Sequence, residues 1–273
     1  MSGRLVGKIA LVVGGGSGMG RAGATTMATE GAAVAVSDID LARAERVADA
    51  IGGAGGTAVA MHVDVTSSEL VQRLVSATID RFGRIDVLYH CAADVHFVNT
   101  QDRRLTELDE EVWQRMIDIH LTGTFLVVKY VGRQMLSQGS GSIILSSTVD
   151  ALVGCAGLDS YTAAKGGVTS MTRSLAAGLG PDGVRVNAIA PSFVSTEPQQ
   201  VWLEREASRA TIERLHILPI PTPEQIAPFV VYLASDESAA VTGGVFPIDA
   251  GYMAFKGQFD VMGAMQTGHT DSS

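Results

Sequence analysis

Short apolar runs alternate with stretches whose apolar residues recur every three to four positions, almost from one end of the chain to the other. Residues 9–13 read as a first strand, followed by glycines and a helix over 18–30. Residues 33–37 form a second strand before a helix over 41–51, and 59–63 a third. Thr66-Ser-Ser-Glu69 has the form of a capping box that opens a helix ending near Phe82. A fourth strand covers 85–91, a looser stretch runs to Leu108, and one long helix is predicted over 110–136. Residues 142–147 give a fifth strand. A long helix over 159–179 follows, with Val168, Met171, Thr172 and Leu175 on one face. The sixth strand is 184–190 and the seventh 245–249.

Such alternation requires parallel strands joined by right-handed crossovers, so the pattern predicts an α/β protein with a doubly wound sheet and helices on both faces. With no repeat and no linker, a single domain is expected over 1–252. Two segments break the rhythm. Residues 195–223 are long and mixed, and 253–273 form a tail expected to be partly mobile or docked on a neighbour.

Composition narrows the class. Among 273 residues, 46% are hydrophobic and 18% charged, which excludes a disordered polyelectrolyte and fits strands covered on both faces. The net charge of −9 argues against a nucleic-acid or anionic-membrane partner. Two cysteines, Cys91 and Cys155, stand far apart, so neither a disulfide framework nor a metal site is indicated. Met1 to Lys8 lacks the apolar stretch of a secretory leader, and no run approaches the ~18 residues that span a bilayer. A soluble, cytoplasmic protein is expected.

The first strand leads into Gly14-Gly-Gly-Ser17-Gly18-Met19-Gly20, which opens a helix. Glycines there allow positive φ and let backbone N–H groups approach a pyrophosphate at the helix N-terminus. Asp38 ends the second strand. A carboxylate at that place accepts the adenosine ribose hydroxyls and repels a 2′-phosphate, and Ser17 offers no positive charge, so the expected cofactor is NAD. Asp64-Val65 ends the third strand, either as a contact to an adenine edge or as a helix-capping acid.

Tyr161 and Lys165 lie one helical turn apart on one face. A free phenol has a pKa near 10, so only about one in a thousand is ionised at pH 7. An ammonium and a nicotinamide cation nearby favour the phenolate, and a fall of ~3 units takes roughly 4 kcal/mol. Tyr161 would then serve as general acid and base on an alcohol or carbonyl oxygen while hydride passes to or from the nicotinamide. The hydroxyls of Ser147 and Thr148 lie at the end of the preceding strand.

Together, Gly14-x-x-x-Gly18-Met19-Gly20, Asp64-Val65, Tyr161-Thr-Ala-Ala-Lys165, Arg185-Val-Asn187, Pro191, Thr196 and the segment from Thr242 to Gly251 carry a resemblance. Over about residues 5–252 the chain resembles the short-chain dehydrogenase/reductase family. The resemblance implies a Rossmann-type, seven-stranded, mostly parallel sheet, a hydroxyl–Tyr–Lys centre, and a homo-oligomer, tetramer or dimer. It also implies cofactor contacts from Cys91 and Ala92, from Pro191 and Val194, and from the Thr196 hydroxyl. Four departures stand out. Val13 replaces a threonine, His90-Cys91-Ala92-Ala93 replaces Asn-Asn-Ala-Gly, and His120 replaces the asparagine of a proton relay. Thr148, rather than serine, falls at the substrate-binding hydroxyl, with Ser147 as the alternative should the strand end shift by one. His120 is either a proton relay or a packed, hydrogen-bonded histidine.

These readings converge on an NAD-dependent oxidoreductase that interconverts a small-molecule secondary alcohol and its ketone, with oxidation the favoured direction. Apolar walls from Val95, Phe97, Val149, Leu152, Val153, Phe193 and Trp202 are expected to suit a cyclic or acyl substrate. An NADPH-dependent ketone reductase of the same fold and a non-catalytic nucleotide-binding protein are the alternatives.

Overall fold

Successive residues of a strand face opposite sides of a sheet. In β1 (Ile9–Val13) both sets are apolar: Ala10 and Val12 enter one core, Leu11 and Val13 another. The same division recurs in β2 (Ala33–Asp38) and β5 (Gly141–Ser146), so one sheet separates two cores. The computed structural model describes residues 3–254. The remaining strands are β3 (Thr57–His62), β4 (Val87–His90), β6 (Val184–Pro191) and β7 (Val245–Ile248). All seven run parallel in the order β3-β2-β1-β4-β5-β6-β7.

Three helices, α1 (Gly18–Thr29), α2 (Leu41–Gly53) and α3 (Ser68–Phe82), follow the first three strands. Next come α4 (Val95–Gln101), α5 (Glu110–Ile117), α6 (Gly123–Gln138) and α7 (Asp159–Leu179). The mixed segment after β6 holds α8 (Gln200–Leu203) and α9 (Glu206–Glu213), and α10 (Pro223–Ala234) precedes β7. Met27, Val47 and Val230 place α1, α2 and α10 on one face of the sheet; Leu74, Val131 and Val168 place α3, α6 and α7 on the other.

Local chemistry sets several ends. Asp40 caps α2 by accepting the Arg43 N–H, and α3 stops at Gly83, whose φ of 83° suits glycine. The expected capping box at Thr66 does not form. Ser67 caps α3 instead, and the Thr66 hydroxyl donates to Asp64 at 2.7 Å. The single helix expected over 110–136 is interrupted by a π-turn at Asp118–Thr122, between α5 and α6. The break spans only five residues, too short for a change of period to stand out between two flanking helices. Most of the expected tail, from residue 255 onward, lies outside the described residues.

The turn after β1 is held by the Gly14 and Gly15 N–H groups, which donate to the Ser37 carbonyl at 2.8 and 2.9 Å. A Cβ on Gly20 would overlap the Gly14 carbonyl oxygen, whereas one on Gly52 would meet nothing within 4 Å. Gly20→Ala is therefore expected to destabilise the protein by about 1–3 kcal/mol or more. Gly52→Ala should change stability by no more than about +1 kcal/mol. Urea unfolding of the two variants checks the contrast, and equal midpoints would contradict it.

Candidate active site

The chain leaves β1 toward β2 and β4 toward β5, so the loops after these two neighbouring strands diverge and open a crevice at their carboxyl ends. The crevice has a volume of about 430 Å³. It is lined by Gly14, Ser17, Gly18 and Met19, by Asp38, Asp64 and Val65, and by Cys91 and Ala92. Thr148, Tyr161, Lys165, Pro191, Val194 and Thr196 complete the predicted residues that meet there. Gly20 and His120 stand behind this lining.

One end suits a dinucleotide. Gly14 and Gly18 have φ of 80° and 48°, and a Cβ at Gly14 would come within 2.6 Å of the Ala92 backbone. The α1 N-terminus presents backbone N–H groups, with no side-chain cap from Ser17. The Gly18 N–H donates to Glu197 Oε2 at 3.2 Å, and Glu197 also pairs with Arg21. Asp38 is anchored by two backbone donors, Gly16 to Oδ2 and Asp40 to Oδ1, both at 3.0 Å. The carboxylate therefore stands fixed in the crevice with acceptor capacity to spare for two ribose hydroxyls. Asp64 closes a turn by accepting from the Thr66 N–H and hydroxyl while still lining the crevice. Arg43, unforeseen in the sequence, lines the same end and pairs with Asp40 at 3.1 Å.

At the other end the Ser147 hydroxyl points into α7, toward the Lys165 carbonyl (3.1 Å) and the Thr169 hydroxyl (2.7 Å). Thr148 is left as the hydroxyl bonded outward, to Asp150. Lys165 is 3% exposed and its Nζ donates to the Ser146 carbonyl at 2.8 Å. Burial lowers its pKa to about 8. The expected acidification of Tyr161 by Lys165 is not what the protein alone provides. Its phenol is raised, by burial first and then by the Asp150 charge. The Lys165 ammonium, 5.8 Å from the ring centre, is turned to the Ser146 carbonyl instead.

His120 is wholly buried in the π-turn, with its ring edge-on to Tyr161 and the two centroids 5.3 Å apart. Its Nε2 accepts the Asp94 N–H at 3.3 Å, which leaves Nδ1–H to donate to the Met116 carbonyl at 3.1 Å. That arrangement ties the loop after β4 to the π-turn. Burial, and then the Lys165 charge, pushes the His120 pKa down to about 3. His90 is likewise driven to about 3 by burial, then by Lys165. Neither of its ring nitrogens has a partner among the described residues.

Of the expected apolar walls only Val95 lines the crevice. Val149 begins a short turn that buries it, Phe97 lies under the Arg115 guanidinium, and Trp202 lies under that of Arg205. Helix α7, which carries Tyr161 and Lys165, has an anchor that sequence reasoning missed. Asp102 accepts the Ser160 N–H and hydroxyl on Oδ1 (3.2 and 2.8 Å) and the Tyr161 N–H on Oδ2 at 2.9 Å. Nothing in the sequence marks this cap, since Asp102 lies 59 residues from Tyr161.

The chain as a whole is similar to several known proteins. The family profile described as Enoyl-(Acyl carrier protein) reductase covers residues 14–253. A 3-alpha-(or 20-beta)-hydroxysteroid dehydrogenase of Mycobacterium tuberculosis is 38% identical over 254 residues, 93% of this chain and 92% of that protein. A 3-oxoacyl-(acyl-carrier-protein) reductase of Thermotoga maritima is 35% identical, over 91% of this chain and 98% of its own length. A short-chain type dehydrogenase/reductase from Mycobacterium ulcerans superposes with a TM-score of 0.88 at 27% identity, covering 96% of this chain and 95% of that one.

His90 and His120 carry a pH signature. Below about pH 6.5 the unfolded chain protonates both, while the folded protein refuses the protons down to about pH 3. Stability should therefore fall on acidification through this window, approaching about 1.4 kcal/mol per pH unit for each histidine. Urea unfolding between about pH 7 and pH 5, above the carboxylate range, should show His120→Asn losing about half of the acid-induced fall. Parallel curves for parent and variant would rule out this origin.

Proposed function

The chain belongs to the short-chain dehydrogenase/reductase family, and from that premise we propose that it is an NAD-dependent dehydrogenase that oxidises a secondary alcohol to its ketone. The observation that carries this reading is the meeting of Thr148, Tyr161 and Lys165 with the glycine loop and the anchored Asp38 in one crevice. The family is one of oxidoreductases that bind a nicotinamide cofactor. Gly14 to Met19 would hold its pyrophosphate, Asp38 the adenosine ribose, Asp64 and Val65 the adenine edge, and Lys165 the nicotinamide ribose. Cys91, Ala92, Pro191, Val194 and Thr196 would border the remainder.

Bound NAD supplies the hydride acceptor and a positive ring whose charge offsets the burial that now raises the Tyr161 phenol. Tyr161 Oη takes the carbinol proton, and the Thr148 hydroxyl bonds the reacting oxygen. Lys165 adds positive charge from beneath, and His120 holds the loop and ring geometry rather than moving protons. The hydroxysteroid and oxoacyl relatives support a cyclic or acyl substrate. Exposed Phe125 and Leu136 on α6 support a homo-oligomer, dimer or tetramer. No helix among the described residues is long and apolar enough to cross a membrane. A cytoplasmic location without nucleic-acid partners remains our reading, supported by the net charge of −9. Arg43 beside the ribose site, together with the reductase relative, favours a second reading, ketone reduction with NADPH.

Tyr161→Phe is expected to lower kcat by about a hundred- to ten-thousandfold. The variant should bind NAD with nearly parent affinity in a fluorescence titration, and parent-like turnover would remove Tyr161 from the chemistry. The parent should use NAD about tenfold to a hundredfold better than NADP, measured as kcat/KM. Asp38→Ser, which removes the carboxylate and leaves Arg43 lining that end of the crevice, should narrow or reverse that ratio. An NADP preference in the parent would select the second reading.

A further inference from the structure

Thr148 has a single hydroxyl proton, and it is given to a neighbour. The hydroxyl donates to Asp150 Oδ2 at 3.0 Å and accepts the Asp150 N–H at 3.2 Å. The residue expected to bond the reacting oxygen therefore stands with its proton turned away from it. Asp150 is half-buried, and no lysine, arginine or histidine pairs with it among the described residues. Its charge acts on the phenols of Tyr161 and Tyr252, and burial first, then that charge and a hydrogen bond to it, lift the Cys155 thiol to about 11. The carboxylate thus lies one hydrogen bond from Thr148, which itself lines the crevice beside Tyr161 and Lys165. A carboxylate withdrawn from water with only two neutral donors, the Thr148 hydroxyl and the Cys155 thiol, is under-compensated. A donor on an incoming molecule would relieve it.

We propose that Asp150 selects alcohols carrying a second hydroxyl on the carbon beside the reacting carbinol, that is, vicinal diols. Thr148 Oγ1 and Asp150 Oδ2 lie 3.0 Å apart, a spacing that matches the paired oxygens of such a substrate. The second hydroxyl donates to Asp150 and takes the place of the Thr148 proton. The Thr148 hydroxyl then turns and donates to the reacting oxygen, where negative charge grows as Tyr161 removes the carbinol proton. A mono-alcohol offers nothing to Asp150 and leaves Thr148 engaged. Asp150 is by this account a specificity-determining residue, and the proposal rests on the dehydrogenase reading above.

The test compares NAD reduction on cyclohexanol and on cis- and trans-cyclohexane-1,2-diol, for the parent, Asp150→Asn and Asp150→Ala. In the parent, kcat/KM for the better diol should exceed that for cyclohexanol by about tenfold to a hundredfold. Both variants should bring the ratio to about one while keeping parent NAD affinity and circular dichroism. The near-isosteric Asn variant decides the matter if the Ala variant fails to fold. A parent that prefers cyclohexanol, or a diol preference that survives in the Asn variant, overturns the proposal. If the parent turns over only larger ring alcohols, the same ratio is taken between that alcohol and its vicinal diol. A parent inactive on every alcohol and diol overturns the dehydrogenase reading and this proposal together. Loss of the diol preference alone leaves the dehydrogenase reading in place.

Discussion

An ammonium group taken out of water must be given an acceptor, and where that acceptor lies fixes the geometry of the whole centre. Lys165 finds it in the Ser146 carbonyl at the end of β5. The Ser147 hydroxyl returns across the same gap to the Lys165 carbonyl and Thr169. These bonds pin α7 to the strand end, so Tyr161, one turn earlier, has a defined place to stand. The neighbouring imidazoles stay neutral chiefly because they too are buried, and the ammonium beside them adds to this by repelling a second charge.

Much of the fold was legible along the chain because strands covered on both faces leave uninterrupted apolar runs such as Ile9–Val13. The glycine loop and the Tyr161–Lys165 pair were legible because their chemistry is local, fixed by a tight turn and by one helical turn. What escaped depends on partners distant in sequence. Asp102 and Glu197 reach their backbone donors across 59 and 179 residues, and no short-range pattern announces such contacts. The π-turn escaped for another reason: it spans only five residues, too few for a change of period to be read between two helices. Val149 reads as a wall residue by composition, but its short turn rotates it inward.

The acidity of Tyr161 illustrates a separate limit. A spacing of four residues identifies which groups are near one another but says nothing of the medium between them. Here the enclosing protein outweighs a lysine that is close but turned aside, and Asp150 adds to the same side. His120 shows the converse. A residue that titrates readily in water becomes a fixed tie once both nitrogens are engaged, joining Asp94 to Met116 behind the tyrosine ring.

The segment between β4 and α5 borders the crevice, and in folds of this kind such loops are where recognition diversifies while the scaffold stays constant. In this chain that freedom is curtailed by Asp102, whose two carboxylate oxygens hold the first turn of α7 at Ser160 and Tyr161. A loop transplanted from a relative would carry away the carboxylate that seats the tyrosine. Recognition and turnover are thus heritable only as a unit, and chimaeras between relatives would have to exchange the loop and the start of the helix together.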